Sequence, residues 1–401
     1  MTISVAVSAT LWVPAPPAET AAVSVLGLPL PRRTALAAAR AGFPRIFFEA
    51  RHEGDLREIL SGTPAKIVTP QEPLPQLTGR LILLAPDVIP QVPWLRSLLA
   101  RPFQAGTFLF DVEGGAVAVL DAARPEDLAV VLAAARRSGL AEARAAGQAA
   151  GVPLSRPTDV FVVRGPADLP SAERWLLQSL IKDSEGFFSR HFERRISLGL
   201  TRRLVRTPIT PNAMTLVSVG VGLAGAALFL SAAAAFQFAG ALLFLLHSIL
   251  DGCDGELARV KFAESRFGGV LDFWGDNVVH SAVFGCLAVG WSRAAGDPRP
   301  LLAGAAAIAG ALLSAGFVYR HAMGEVREGP QFTSVTSAPA SRFSRLADAL
   351  ARRDFIYVLI LLSAFGKAHW FLVLMAVGAP VFFFFLVAIE ASARRLGRSL
   401  S

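Results

Sequence analysis

Asp251-Gly252-Cys253-Asp254-Gly255-Glu256-Leu257-Ala258-Arg259, then eight residues, then Gly268-Gly269-Val270-Leu271-Asp272-Phe273-Trp274-Gly275-Asp276 decides how this chain reads. Four aspartates stand in sequence that is otherwise apolar. Asp251 and Asp254 are three residues apart and Asp272 and Asp276 are four apart, so each pair shares one helix face. A turn through residues 260–267 makes the two helices a hairpin. At a rise of about 1.5 Å per residue, Asp251 and Asp276 each lie about 12 Å in from the turn, and Asp254 and Asp272 about 6–7 Å in. The spacing therefore predicts two layers of two carboxylates. Ionisable groups in membrane helices are costly and default to function with a partner. Four bare carboxylates would repel one another and take up protons, and divalent cations resolve this. All-oxygen ligands suit Mg2+ or Mn2+ and not Zn2+. Mg2+ is usually held by a few carboxylates plus phosphates, so a diphosphate ligand is implied. Gly255 and Ala258 leave room beside the acidic face, Gly268 permits a tight turn or close helix approach, and Arg259 offers a forked donor to phosphate. The competing readings are a hairpin holding an ion structurally and a cation pathway.

The surrounding sequence supports a membrane setting. Of 401 residues, 53% are hydrophobic and 17% charged, with a mean hydropathy of +0.49. A soluble domain carries about 25% charged residues, so a wholly soluble protein, disorder, collagen and coiled coil are all disfavoured. Cys253 and Cys286 cannot build a disulfide framework, and Cys253 needs no redox role. The formal charge of +8 is carried mostly by Arg. Six spans are expected, at roughly 213–232, 236–257, 269–291, 301–320, 354–366 and 369–391, the fifth being short. Arg259, Lys261 and Arg266 follow the second span. Arg320, Arg327, Arg342, Arg345, Arg352 and Arg353 follow the fourth. Arg394, Arg395 and Arg398 follow the sixth, in a basic tail at 393–401. The other connections hold few cations. The positive-inside rule places both termini in the cytoplasm, which requires an even number of spans. A prokaryotic plasma (inner) membrane is expected.

Residues 1–180 read differently. Met1–Leu11 has no basic residue and does not read as a signal peptide; Thr2–Val7 reads as a short strand. Arg45–Ala50, Lys66–Thr69 and Arg80–Ala85 are β-type runs. Thr34–Ala41, Trp94–Leu99, Leu128–Ala135 and Ser171–Ile181 have helical spacing. The alternation predicts a cytosolic α/β domain with a parallel-rich sheet. Over 181–208, Phe188, Phe192, Ile196, Leu200 and Leu204 recur every four residues among Lys182, Arg190, Arg194, Arg195, Arg202, Arg203 and Arg206. That pattern predicts a basic amphipathic helix on an anionic leaflet, or else one packed on the α/β domain. An all-α transmembrane domain follows over 209–392.

The pattern D-x2-D-G-x2-A-R-x8-G-x3-D-x3-D resembles the signature of the CDP-alcohol phosphotransferases, with every fixed position filled. The resemblance implies six transmembrane helices, a homodimer and two divalent ions, Mg2+ or Mn2+. It implies transfer of a substituted phosphate from a CDP-alcohol to an acceptor hydroxyl, with release of CMP. Asp251, Asp254 and Asp272 would ligate metal, and Asp276 would be the general base, also near metal. Gly255, Ala258, Arg259 and Gly268 would line the CDP site. Thr210-Pro211-Asn212 looks like the family's opening of the first span, which makes Asn212 and Thr215 nucleotide contacts. Arg320 and Arg327 are candidates for the acceptor site.

The resemblance extends upstream. Gly186–Arg190, Arg194–Ser197 and Ile209–Asn212 look like the junction of fused enzymes that make inositol-type phosphodiesters, in which a cytidylyltransferase precedes the membrane domain. Val25–Leu30, Arg33–Gly42 and Leu81–Val88 resemble parts of a sugar nucleotidyltransferase. Residues 8–24, however, contain no Gly, Lys or Arg to hold a triphosphate. Val160-Phe161-Val162-Val163-Arg164 lacks the late aspartate. The domain is therefore expected to be degenerate, with Asp87 a strand-end turn residue. His247 and His280, one turn from Asp251 and Asp276, are expected to make helix–helix contacts or support the ligands. Nothing combines aromatics with base-reading residues, so no nucleic-acid partner is expected.

Overall fold

The computed structural model describes residues 8–111, 116–138, 140, 152–154, 159–181, 192–324 and 355–398. The chain forms two units, Met1–Gln178 and Ser179–Ser401. Thr2–Val7 lies outside the described residues, and the first strand is β1, Ala9–Val13.

In the first unit β1 is joined by β2 (Arg45–Glu49), β3 (Lys66–Val68), β4 (Gly79–Leu84), β5 (Thr107–Asp111), β6 (Val117–Ala122) and β7 (Val152–Leu154). They form one sheet in the order β7-β5-β6-β4-β1-β2-β3. All neighbours are parallel except β6, which runs antiparallel to both β4 and β5. The sheet is thus parallel-rich, as the alternation of strand and helix patterns predicts. All five residues of β1 and all six of β6 are buried, the pattern of strands covered on both faces. The longer helices of the unit are α1 (Leu30–Ala41), α2 (Val92–Ala100), α3 (Pro125–Ser138) and α4 (Leu169–Gln178). Trp12, Phe47, Leu81, Phe108 and Leu120 pack with Leu128 and Leu132 of α3. Arg80 and Asp121 stand opposite one another on β4 and β6 and pair through two 2.7 Å contacts. The guanidinium also donates to Leu98 O at 2.6 Å and Arg101 O at 3.0 Å, closing the C-terminus of α2.

Strand order reverses between β1 and β4, where open α/β sheets bind ligands. Here β1 runs into Pro14-Ala15-Pro16-Pro17, without a glycine-rich phosphate loop. Asp87 lies in the turn after β4, and its backbone O accepts a 2.8 Å bond from Val163 N.

The second unit is helical. It comprises α5 (Arg194–Leu204), α6 (Pro211–Leu228), α7 (Ala234–Lys261), α8 (Arg266–Ala295), α9 (Arg299–Gly324), α10 (Phe355–Ala364) and α11 (Ala368–Arg398). Among the described residues five helices, α6 to α9 and α11, are long and apolar enough to cross a membrane, which indicates a membrane protein. The fifth expected span corresponds to α10, whose ten described residues reach about 15 Å, half of a hydrocarbon core of about 30 Å. Small residues let the helices approach closely. A Cβ at Gly240 would lie 2.8 Å from Gly225 O, one at Gly290 2.1 Å from Phe229 O, and one at Gly310 2.4 Å from Pro380 N.

The amphipathic helix differs from expectation in what it buries. Its described part, α5, leaves Phe192 and Ile196 exposed just before and within it, while Ser197 and Thr201 are buried. A stripe of small polar residues, rather than the apolar one, faces α7, because a buried carboxylate there supplies the bonds.

Candidate active site

The turn between α7 and α8 forms where the spacing predicts and is specified locally, but both helices pack on α6 rather than side by side as a hairpin. Phe262 adopts the left-handed conformation, φ 53°, and ends α7. Ser265 caps α8, its Oγ accepting a 2.9 Å bond from Gly268 N. At the head of α6, Thr210 Oγ1 accepts from Ala213 N at 3.2 Å, with Pro211 in the first turn.

On this frame α7 presents Asp251 and Asp254, 6% and 5% exposed, and α8 presents Asp272 and Asp276. One carboxylate oxygen from each of Asp251, Asp254 and Asp272 lies within 4.8 Å of the others. Two unit charges at that distance repel by about 3 kcal/mol per pair at an effective dielectric near 20, so the triad needs a cation or protons. These three form one cluster, with Asp276 beside it. Asp276 Oδ1 lies 3.4 Å from His247 Nε2, because His247 sits one turn beyond Asp251 and meets the deeper aspartate. His247 Nδ1 is 2.9 Å from Ser218 O. A carbonyl only accepts, so Nδ1 carries the proton and Nε2 faces Asp276. His280 packs instead against the rings of Phe244 and Phe355.

The remaining predicted residues fall around this cluster. Thr215 Oγ1 donates to Asp254, so it supports a carboxylate besides being near the expected nucleotide site. A Cβ on Gly268 would stand 2.9 Å from Asn212 Oδ1; glycine there lets Asn212 lie against the head of α8. A Cβ on Gly255 would stand 3.2 Å from Arg259 Nη1, so the guanidinium lies across the space Gly255 leaves. Ala258 is half-buried on the same helix. Arg320 is exposed near the end of α9, and Arg327 lies outside the described residues. Sequence reasoning missed Glu256, which is fully buried. It accepts bonds from Arg194 Nη1 at 2.8 Å, Ser197 Oγ at 2.7 Å and Thr201 Oγ1 at 2.6 Å. Its signal was a third carboxylate in the same apolar helix, matched by donors three and four residues apart on α5.

The donor set fits a hard divalent cation. It consists of carboxylate oxygens, and Asp272 Oδ1 is buried with no hydrogen-bond partner among the described residues.

Residues 208–327, which include every helix that carries the acidic cluster, match the family model of the CDP-alcohol phosphatidyltransferases. Over this segment, about 30% of the chain, the sequence is similar to that family. The bifunctional IPC transferase and DIPP synthase of Thermococcus kodakarensis is 39% identical over 124 residues, covering 31% of this chain and 28% of that protein. The protein of the same description from Rubrobacter xylanophilus is 38% identical over 182 residues, covering 45% of this chain and 39% of that one. The phosphatidylinositol phosphate synthase of Mycobacterium marinum is 35% identical over 101 residues, 25% of this chain and 42% of that protein. The chain thus spans less than half the length of each of these three curated relatives.

Proposed function

We propose that this chain transfers a substituted phosphate from a CDP-alcohol to an acceptor hydroxyl within the membrane, releasing CMP, in phospholipid biosynthesis. The observation that carries the reading is the convergence of Asp251, Asp254 and Asp272 within 4.8 Å, with Asp276 alongside, in a segment matching the family model.

Asp251, Asp254 and Asp272 would hold divalent ions, two Mg2+ or Mn2+, with Asp276 near them. The ions would neutralise the diphosphate and stabilise CMP as it leaves. The chain's own residues do the rest. Asp276 accepts the proton of the acceptor hydroxyl. The acceptor oxygen bonds to the phosphorus that bears the donor's alcohol, and the bond from that phosphorus to CMP breaks. His247, its ring fixed by Ser218 O, lies beside Asp276. Arg259, Gly255, Ala258, Gly268 and Asn212 shape the nucleotide site, and Thr215 braces Asp254. Arg320 and Arg327 are candidates for the acceptor side. The reading includes six crossings, both termini in the cytoplasm of a prokaryotic cell, an anionic inner leaflet beneath the basic helix and a homodimer.

A second reading, synthesis of a polar inositol-type phosphodiester from CDP-inositol and inositol phosphate, is favoured by two of the relatives being bifunctional IPC transferases and DIPP synthases. Mass spectrometry of products from a panel of CDP-alcohols and acceptors separates the two. Asp276→Asn is expected to abolish CMP release with folding intact; unchanged release in purified protein would reject the assignment of Asp276. A third reading, a membrane scaffold or cation transporter on the same hairpin, predicts no CMP from any donor. Asp251→Ala is expected to weaken Mg2+ or Mn2+ binding, and wild-type affinity would remove Asp251 from the metal site.

A further inference from the structure

Helix α7 has two chemically distinct faces. Glu256 follows Asp254 by two residues, about 200° around the helix, so it points away from the triad. That opposite face carries Gly252, Cys253 and Glu256, and α5 lies against it. A Cβ at Gly252 would stand 3.0 Å from Arg194 Nη1, so the glycine makes room for the guanidinium. Cys253 Sγ lies 3.6 Å from Ser197 O. Arg194, Ser197 and Thr201 converge on the one carboxylate of Glu256.

This contact is the middle of three. Two turns earlier on α7, buried Glu193 accepts a 2.9 Å bond from Tyr357 OH and lies 3.4 Å from Ser248 Oγ. At the other end, Lys261 Nζ donates to Thr207 O at 2.9 Å and Ile209 O at 2.8 Å, fixing the chain that leads into α6. Asn212 and Thr215 stand on the first turns of that helix. A buried carboxylate is tolerated only when charge-paired and hydrogen-bonded. Among the described residues Glu256 meets both conditions through α5, so sliding or rotating α7 against α5 would strand it.

We infer that Glu256 is a positioning residue for the metal site: by locking α7 to α5 it fixes the depth and rotation at which Asp251 and Asp254 meet Asp272. The inference rests on the proposed metal-dependent reading, and its test is separable from it. Full-length protein in nanodiscs is titrated with Mn2+ by electron paramagnetic resonance, well below its unfolding temperature. Glu256→Gln keeps the volume and removes the charge. It is expected to raise the half-saturating Mn2+ concentration about 10-fold, the lower end of the loss when partners of metal ligands are removed. Arg194→Met should do the same, and the double variant should be no worse than either, because both remove one lock. A purely structural role would lower thermal stability and leave Mn2+ affinity unchanged. Wild-type affinity in folded E256Q therefore overturns the inference. If E256Q does not accumulate, the Ser197→Ala/Thr201→Ala double variant reads the same quantity, and unchanged affinity there overturns it equally. Wild-type protein that binds Mn2+ but releases no CMP from any CDP-alcohol refutes the phosphotransfer reading and leaves the positioning inference standing. Wild-type protein that binds no Mn2+ refutes both.

Discussion

Two glycines on α8, each replaced by alanine, should separate folding from chemistry. At Gly290 the new Cβ would fall 2.1 Å from Phe229 O and 3.1 Å from Leu230 C. Carbon–oxygen contacts settle near about 3.3 Å, so the end of α6 must move by about 1 Å. Its backbone cannot rotate away as a side chain can. Overpacking of this kind costs about 1–3 kcal/mol, and the geometry argues for the upper end. Alanine returns up to about 1 kcal/mol of helix propensity. The net loss is then about 2 kcal/mol. For a unit of this size, about 2–4 °C per kcal/mol makes that a fall in Tm of roughly 4–8 °C. At Gly268 the new Cβ would fall 2.9 Å from Asn212 Oδ1 and 3.1 Å from Ser265 Oγ. Both are side-chain ends that can swing aside, so stability should stay within about 1 kcal/mol of wild type. The displaced Asn212, however, sits at the proposed nucleotide site, and CMP release should fall. The assay is thermal unfolding in nanodiscs at one scan rate, since unfolding of such a protein is read as a rate, with CMP release measured at 25 °C on the same samples. An unchanged Tm for Gly290→Ala would refute the packing argument. Full CMP release by Gly268→Ala would refute the placement of Asn212.

Thr215→Val keeps the shape and removes the hydroxyl that donates to Asp254; Mn2+ binding should weaken about 10-fold with little change in Tm, as read by paramagnetic resonance and thermal unfolding. Arg80→Met leaves Asp121 buried without its ion pair and should destabilise the first unit by about 3–5 kcal/mol, while Arg80→Met/Asp121→Leu should recover most of that; hydrogen exchange of β4 and β6 in the full chain measures both. Burial raises the carboxyl of Glu49 above its ordinary 4.5, against the opposing pull of Arg136. Its contribution to stability is therefore complete below pH 4.5 and is lost as pH rises through the folded value. Opening of β2 should become easier across that window in wild type and less so in Glu49→Gln, by hydrogen exchange corrected for intrinsic rates.

The metal candidates were legible because charge in apolar helices is conspicuous and spacing assigns faces. What spacing could not give was the crossing of the helices. Depth alone paired Asp251 with Asp276; it could not show that Asp251, Asp254 and Asp272 gather within 4.8 Å, or that His247 lies against Asp276. Glu256 escaped because a carboxylate beside two ligand-like aspartates reads as a variable position until its partners on a separate helix are known. In the first unit, Arg45–Ala50, Lys66–Thr69 and Arg80–Ala85 stood out as strands between turn signals. The sequence Val117–Ala122 did not, because a strand buried on both faces shows no alternation and Asp121 looks solvent-directed until Arg80 is placed opposite it. In α5 the apolar period was visible, but which stripe would be buried depended on the same distant carboxylate.

The turn at Phe262 and Ser265 has a consequence for biogenesis. Residues 251–276 leave the ribosome as one uninterrupted run, within about 1–5 s at ordinary synthesis rates. The encounter of opposed acidic groups is then a matter of short-loop closure rather than a search between remote segments. The acidic cluster can thus form once α6, α7 and α8 are made, before the later helices.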